Sequence, residues 1–195
     1  MKNLFTIPSA EKIRHEVYRT PEYMRPSTMP TAVVMEGFLL ENECDWLVAY
    51  LSSLESYNYD HCSALTREAP RPLDGLLDSS VMAAETVNDS YWGFELDVDP
   101  AAWFQTYSAG GSYPLHADFA PGQSRKMTAV VMLSDEEAYA GGELRVRINS
   151  ERGIAVPKTR GTIVVFPAWV PHLVTEVTWG VRQTINIGFW GPDFR

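Results

Sequence analysis

Two histidines and one aspartate stand at a spacing that can bind a transition metal. In "YSAGGSYPLHADF", residues 107–119, His116 and Asp118 are two positions apart, and the whole chain contains only four histidines. Residues i and i+2 of a strand point to the same face, so this imidazole and this carboxylate can lie side by side. His172 is the candidate third ligand. Two histidines and one carboxylate on one side of a metal form the facial triad of non-haem Fe(II) sites.

An arginine near the end of the chain suggests a second binding function. Arg182 begins "RQTINIGFW", where Thr184 and Asn186 share its strand phase and alternate with Ile185 and Ile187. A buried guanidinium stays charged and needs an anionic partner, because an unpaired buried charge is costly. A dicarboxylic cosubstrate could supply that partner through two parallel hydrogen bonds. The alternative is that this polar side of the strand faces solvent.

The elements that must position these side chains are mostly short strands. Alternating apolar residues bounded by turn residues predict eight strands from residue 101 onward. Such even spacing favours a mainly β fold, a double-stranded β-helix or jelly roll (cupin-like) core of eight strands with flanking helices. The eight stretches are "AAWFQTYS", "YPLHAD", "RKMTAVVMLS", "GELRVRIN", "GIAVP", "GTIVVFP", "PHLVTEVT" and "RQTINIGFW".

The N-terminal half reads as supporting structure. Prolines interrupt the first thirty residues and leave one short predicted helix near 9–18, followed by an extended arm. Three further predictions follow: a strand in "TAVVMEGFL", a helix in "LENECDWLVAYLSSLES" capped by Asn42, and a long loop over 57–78 of the kind that often forms a lid. A second helix is expected in "SSVMAAETVND", capped by Ser79 or Ser80.

Length and charge restrict the classes of function. A chain of 195 residues suits one domain, here 1–195, with residues 1–100 as arm and support and residues 101–192 as the core. A net charge of −9 argues against a nucleic-acid partner, because phosphate binding needs clustered Lys and Arg. With no long apolar run, no membrane association and a cytoplasmic location are expected. Cys44 and Cys62 read as ordinary thiols.

The motifs as a set resemble a known enzyme superfamily. Tyr107, Gly110, Tyr113, His116 and Asp118 form Y-x-x-G-x-x-Y-x-x-H-x-D, and "LSDEEAYAGGEL" follows. The stretch "FPAWVPHLVTEVTWGVR" then carries H-x-V-x-x-V-x-x-G-x-R. Over about half of the chain this pattern is similar to the 2-oxoglutarate- and Fe(II)-dependent dioxygenases, in the prolyl 4-hydroxylase-like branch that includes PKHD-type bacterial and phage hydroxylases.

The resemblance implies cofactors and residue roles. Fe(II), 2-oxoglutarate and O2 are the implied cofactors and cosubstrates, with ascorbate as an additional candidate. Met132 stands where some prolyl hydroxylases have a second cosubstrate-binding tyrosine, which is a departure from the pattern. The implied iron ligands are His116, Asp118 and His172, and the implied partner of the C5 carboxylate is Arg182. Tyr107 and Thr128 are further cosubstrate residues that the resemblance implies. Thr184 and Asn186 are added as candidates because they share the strand phase of Arg182.

The implied reaction is hydroxylation of a substrate C–H bond, with succinate and CO2 as coproducts. The first hypothesis for the substrate is a prolyl or other peptidyl residue. A free amino acid or small metabolite is the second, and a cupin-like module that binds metal and ligand without turnover is the third. His15 and His61 are expected at the surface, and the expected apolar walls of the site are Trp103, Phe119, Trp169 and Trp190.

Overall fold

The chain folds into two facing β-sheets with two helices outside them. The computed structural model describes residues 14–19, 30–58, 62–71, 75, 77–119, 124–147 and 153–193. Its strands are β1 (Arg14–Arg19), β2 (Pro30–Glu36), β3 (Tyr57–Asn58), β4 (Leu65–Glu68), β5 (Val98–Ser108), β6 (Tyr113–His116), β7 (Arg125–Met132), β8 (Tyr139–Gly141), β9 (Leu144–Val146), β10 (Ile154–Ala155), β11 (Ile163–Pro167), β12 (His172–Val174) and β13 (Val177–Trp190).

The larger sheet has the strand order β1-β2-β11-β7-β13-β5-β4-β3. Its ninth strand, β8, pairs with β13 and is not part of this linear order. The smaller sheet has four strands in the order β10-β9-β12-β6. All eight strands expected from residue 101 onward are present, and the two facing sheets agree with the predicted jelly roll.

Two layers of apolar side chains hold the sheets and helices together. Alternate residues of β7 show the division, since Val131 faces one layer and Val130 the other. One layer packs the outer face of the larger sheet against helices α1 (Glu41–Ser52) and α2 (Asp78–Tyr91). The other fills the space between the two sheets. This period-two division is what leaves the inner face of the larger sheet available for a site.

Both helices occur where the sequence predicts them, but their first residues differ from the predicted caps. Helix α1 begins after Leu40, whose backbone N–H donates to the Glu43 carboxylate at 2.7 Å. Helix α2 begins after Leu77, and its first residue, Asp78, accepts a hydrogen bond from the Gly75 N–H at 2.8 Å. Among the described residues, neither helix is long and apolar enough to cross a bilayer.

Two predictions for the N-terminal half are wrong. The helix expected near 9–18 is not formed over its described part, because residues 14–19 form β1 and pair with β2. Pairing with the sheet overrides the local helical pattern there. Residues 9–13 lie outside the described part of the chain. The expected loop over 57–78 contains the β3–β4 hairpin, which extends the larger sheet through β5. Both missed elements are edge strands, whose conformation depends on a distant pairing partner.

Candidate functional site

The smaller sheet places the two site histidines directly opposite each other. Strand β12 pairs antiparallel with β6, and His172 is the cross-strand partner of His116, with ring centroids 4.2 Å apart. Asp118 follows two residues after His116. One potential ligand atom from each of these three residues lies within 4.8 Å of the others, which is the spacing of a shared metal ion.

Hydrogen bonds to the backbone fix which nitrogen of each ring is available. Nδ1 of His116 lies 2.8 Å from the Pro114 carbonyl oxygen, and Nδ1 of His172 lies 3.0 Å from that of Val170. A carbonyl oxygen only accepts, so each Nδ1 carries the hydrogen and each Nε2 keeps its lone pair. Both Nε2 atoms face Asp118, at 3.6 Å from its Oδ1 and 3.9 Å from its Oδ2 respectively.

The charge states of the site suit metal ligands. Burial raises the pKa of Asp118, but the neighbouring His116, Arg125 and His172 outweigh it and hold that pKa well below its usual range. Burial lowers the pKa of His172 to about 4. At neutral pH the site therefore offers a carboxylate and a neutral imidazole, the forms that bind divalent metals.

Two neighbours orient the Asp118 carboxylate. The Thr128 hydroxyl on β7 donates to Oδ2, and Nη2 of Arg125 lies 3.5 Å from the same oxygen. The Arg125 guanidinium in turn stacks on two indoles, with Cζ 5.7 Å from the Trp103 ring and 5.5 Å from the Trp190 ring. These contacts leave Oδ1 directed toward His116.

The three residues open into a cavity of about 860 Å³ between the two sheets. Strands β6, β9 and β12 of the smaller sheet form one wall, and β5 and β13 of the larger sheet form the other. The β3–β4 hairpin contributes Tyr57 and Thr66 to the lining. Trp103, Arg125 and Trp190 line the same cavity. The volume is in the range of small-molecule sites.

Cross-strand pairs of β5 and β13 build the polar part of this wall. Tyr107 stands opposite Arg182, Gln105 opposite Thr184, and Trp103 opposite Asn186. All but Thr184 are among the residues that line the cavity. Arg182, Thr184 and Asn186 therefore share the inner face of β13, as predicted. The alternative that this face is exposed to solvent is wrong for Arg182, which is 2% exposed.

Arg182 has no anionic partner among the residues that the structure describes. Two of its hydrogen bonds are long, from Nη1 to the Thr184 hydroxyl at 3.4 Å and from Nη2 to the Met132 sulfur at 3.8 Å. Its Nε is buried without any hydrogen bond. A guanidinium in this state provides a binding site for a carboxylate that enters the cavity.

Glycine at 142 makes room for the arginine. A Cβ there would lie 2.9 Å from Val177 Cγ2, 3.0 Å from Arg182 Cδ and 3.1 Å from Tyr139 Cε2. The backbone at Gly142 also has φ +59, which disfavours other residues. The second glycine of "AGGEL" is therefore explained by the packing of Arg182.

The remaining predicted residues occupy different positions. Tyr107 is fully buried and donates its hydroxyl hydrogen to Gln105 at 2.8 Å, while Asn186 donates to the same Gln105 oxygen at 2.9 Å. Thr128 contacts Asp118 and therefore serves the metal end of the cavity. Cosubstrate contact by Tyr107, Thr128, Thr184 and Asn186 stays a prediction.

Of the four expected aromatic walls, Trp103 and Trp190 line the cavity. Phe119 and Trp169 do not; they are 41% and 44% exposed, and Trp169 packs edge-on against Phe94. Cys44 and Cys62 are unbridged, as expected. The side chain of His15 and all of His61 lie outside the described residues.

Sequence reasoning missed Gln105 and Arg125. Gln105 could have been found from its phase, since it lies two residues before Tyr107 on one strand. Arg125 begins β7 of the larger sheet, whereas Asp118 follows β6 of the smaller sheet, so no local pattern connects the two.

The comparisons with known proteins agree with this geometry. Residues 102–190 match the model of the 2OG-Fe(II) oxygenase superfamily, and this segment contains the triad and Arg182. Over this segment the chain is similar to the 2OG-Fe(II) oxygenase superfamily. Fe(II), 2-oxoglutarate and O2 are the cofactor and cosubstrates that this similarity predicts.

Curated relatives identify the branch. A PKHD-type hydroxylase of Klebsiella pneumoniae strain 342 is 31% identical over 121 residues, which are 57% of this chain and 53% of the relative. A second, from Acidovorax ebreus strain TPSY, is 38% identical over 96 residues, 45% of this chain and 40% of the relative. The chain thus spans about half the length of the curated relatives it matches. The predicted resemblance to the PKHD-type branch is confirmed.

Solved structures confirm the fold. A Pseudomonas putida prolyl-4-hydroxylase has a TM-score of 0.69 at 20% identity, covering 84% of this chain and 94% of that one. A viral collagen prolyl hydroxylase from Paramecium bursaria Chlorella virus-1 has a TM-score of 0.66 at 18% identity, covering 83% and 97%. At these identities the likeness concerns the arrangement of the strands.

The residues present fit the two groups that the superfamily implies. The donor set of two imidazoles and one carboxylate, with both Nε2 lone pairs available, suits Fe(II). The buried Arg182 without an anion suits the distal carboxylate of 2-oxoglutarate. Both features face one cavity.

Proposed function

We propose that this oxygenase hydroxylates a C–H bond of a peptidyl residue, in the first instance proline, and that 2-oxoglutarate is converted to succinate and CO2 in the same reaction. One observation carries the proposal. The metal triad and a buried arginine that lacks an anion line the same cavity of about 860 Å³. A module that bound only a metal would have no use for such an arginine, and a module that bound metal and ligand without turnover would form no succinate.

His116, Asp118 and His172 are the proposed metal ligands. When bound, Fe(II) and 2-oxoglutarate supply the oxidising chemistry, in which the cosubstrate is decarboxylated and one oxygen atom enters the substrate. The protein holds each ring by its Nδ1–H and leaves Nε2 for the metal. Because three ligands come from one side, the opposite side stays open for the cosubstrate and O2.

Arg182 is the proposed binding residue for the distal carboxylate of 2-oxoglutarate. Its planar fork matches a carboxylate in two parallel hydrogen bonds, and its burial keeps competing water away. The nearby Met132 offers only a sulfur atom, so Arg182 bears most of this interaction.

The substrate is proposed to enter beside Trp103, Arg125 and Trp190. The two indoles meet edge to face, with ring centroids 6.0 Å apart. Both contact the Arg125 guanidinium, which is itself paired with Asp118, so the indoles line the cavity near the metal ligands. Aromatic walls suit an apolar ring such as that of proline. Support for a peptide comes from the prolyl hydroxylases among the structural neighbours and from the PKHD-type relatives.

The test is incubation of the Fe(II)-loaded protein with 2-oxoglutarate and either a pool of proline-containing peptides or the free amino acids. Mass spectrometry should find peptides that gain one oxygen atom, and the gain should require Fe(II). A gain confined to the free amino acids would identify the small-molecule alternative. Failure to form succinate under any of these conditions would favour the binding module.

A further inference from the structure

Gln105 is the centre of a hydrogen-bond network on the inner face of the larger sheet. Its Oε1 accepts from the Tyr107 hydroxyl at 2.8 Å and from Nδ2 of Asn186 at 2.9 Å. Gln105 itself is 6% exposed and lines the cavity. The network joins β5 to β13 between Arg182 and the tryptophans.

Counting hydrogens shows what this network fixes. A phenol carries a single hydrogen, so the Tyr107 hydroxyl has no second one to donate to a ligand while it is bonded to Gln105. Two donors on one oxygen also fix the orientation of the Gln105 amide, whose Nε2 is 4.0 Å from the Cys62 sulfur. Tyr107 is therefore held by its hydroxyl, and its ring is the part that faces Arg182.

That ring is a main contact of the arginine. Cζ of Arg182 lies 5.2 Å from the centroid of Tyr107, and the two residues are cross-strand partners. The hydrogen bonds that Arg182 makes are long, at 3.4 Å and 3.8 Å, and its Nε makes none. The Tyr107 ring is therefore one of the contacts that position the guanidinium, beside Tyr139, and the Gln105 hydrogen bond is one of the contacts that hold the ring.

We infer that Gln105 is a positioning residue for cosubstrate binding: its side-chain oxygen holds the Tyr107 ring against Arg182 and so sets the guanidinium for the distal carboxylate. The inference rests on the proposed function. It assigns Tyr107 an indirect role, in place of a direct hydrogen bond to 2-oxoglutarate. Asn186, the cross-strand partner of Trp103, is joined to Tyr107 and so to the cosubstrate end of the cavity through the shared Gln105 oxygen.

The test measures binding of two 2-oxo acids to Mn(II)-loaded protein by calorimetry, with Mn(II) as a redox-stable substitute for Fe(II). 2-Oxoglutarate has the distal carboxylate and 2-oxobutyrate lacks it. Gln105→Leu should weaken 2-oxoglutarate binding about tenfold, the range of one lost hydrogen bond to the site. Binding of 2-oxobutyrate and of Mn(II) should stay within about twofold. Gln183→Leu, on the neighbouring position to Arg182 in β13, is the matched control and should change neither.

The same pathway should be visible in a double variant. Tyr107→Phe removes the same hydrogen bond from the other side, so Gln105→Leu combined with Tyr107→Phe should be no weaker than the worse single variant. If Gln105→Leu does not fold, binding of 2-oxoglutarate and 2-oxobutyrate is measured for Tyr107→Phe alone, with the same expected results. Additive losses, or equal losses for both acids, would overturn the inference. Unchanged 2-oxoglutarate binding in Arg182→Ala would instead refute the proposed function.

Discussion

Replacing Arg182 by alanine should remove most of the affinity for 2-oxoglutarate. The side chain is 2% exposed, so the interaction it would make with a carboxylate is shielded from water. Removing one partner of a buried charge pair costs about 3–5 kcal/mol. Since each 1.4 kcal/mol is tenfold in affinity, the dissociation constant should rise by roughly a hundredfold to several thousandfold.

Lysine at the same position keeps the charge but loses the planar fork, so Arg182→Lys should cost less, about tenfold. Both variants should bind Mn(II) like the wild type, because Arg182 is not a metal ligand. Calorimetric titration of 2-oxoglutarate into the Mn(II)-loaded proteins measures the effect. The reasoning is refuted if Arg182→Ala binds 2-oxoglutarate as the wild type does, or if it loses 2-oxobutyrate affinity to the same extent.

Three further predictions concern packing and burial. Gly142→Ala should weaken 2-oxoglutarate binding about tenfold in the same titration, because the added Cβ would displace Arg182. Gly93→Ala is the control: its backbone has φ +64, but a Cβ there would have nothing within 4 Å, so binding should not change. Equal effects of the two substitutions would contradict the packing argument. Phe166→Ala should lower the free energy of unfolding by about 3–5 kcal/mol in urea denaturation, since the Phe166 ring is fully buried and its centroid lies 4.7 Å from that of His172. A loss below about 1 kcal/mol would show that this packing is unimportant. Burial raises the pKa of Cys44 from the usual value of a thiol to about 11. The neutral thiol therefore stabilises the fold below the pKa of a free thiol, and this contribution is lost as pH rises toward 11. Iodoacetamide at pH 8 should leave the buried Cys44 unmodified until the protein is unfolded, and rapid alkylation of the native protein would be the contrary result.

The metal site could be predicted because its signal is local. His116 and Asp118 lie within one strand and one turn, where the period of two already places them together. His172 is distant in sequence, and it could be joined to them only as a candidate, since only the register of β12 on β6 brings it opposite His116. The phase of Gln105 with Tyr107 was readable, but its hydrogen bond with Asn186 was not, because Asn186 belongs to a strand far along the chain.

The fold shows the same division between local and distant information. The long strands β7 and β13 could be predicted because each is a run of mostly apolar and β-branched residues bounded by turn residues. The short strands β3 and β4 have 2 and 4 residues, too few for a periodic signal, and they are strands because β5 offers an edge. Strand β1 forms for a similar reason on β2.

The central claim is that His116, Asp118 and His172 hold one metal that 2-oxoglutarate turnover requires. Its most direct test is succinate formation from 2-oxoglutarate in air, measured with and without Fe(II) for the wild type and for Asp118→Ala. The account predicts Fe(II)-dependent succinate from the wild type, and neither Fe(II) binding nor succinate from the variant. Full Fe(II) affinity and full succinate formation in Asp118→Ala would contradict it.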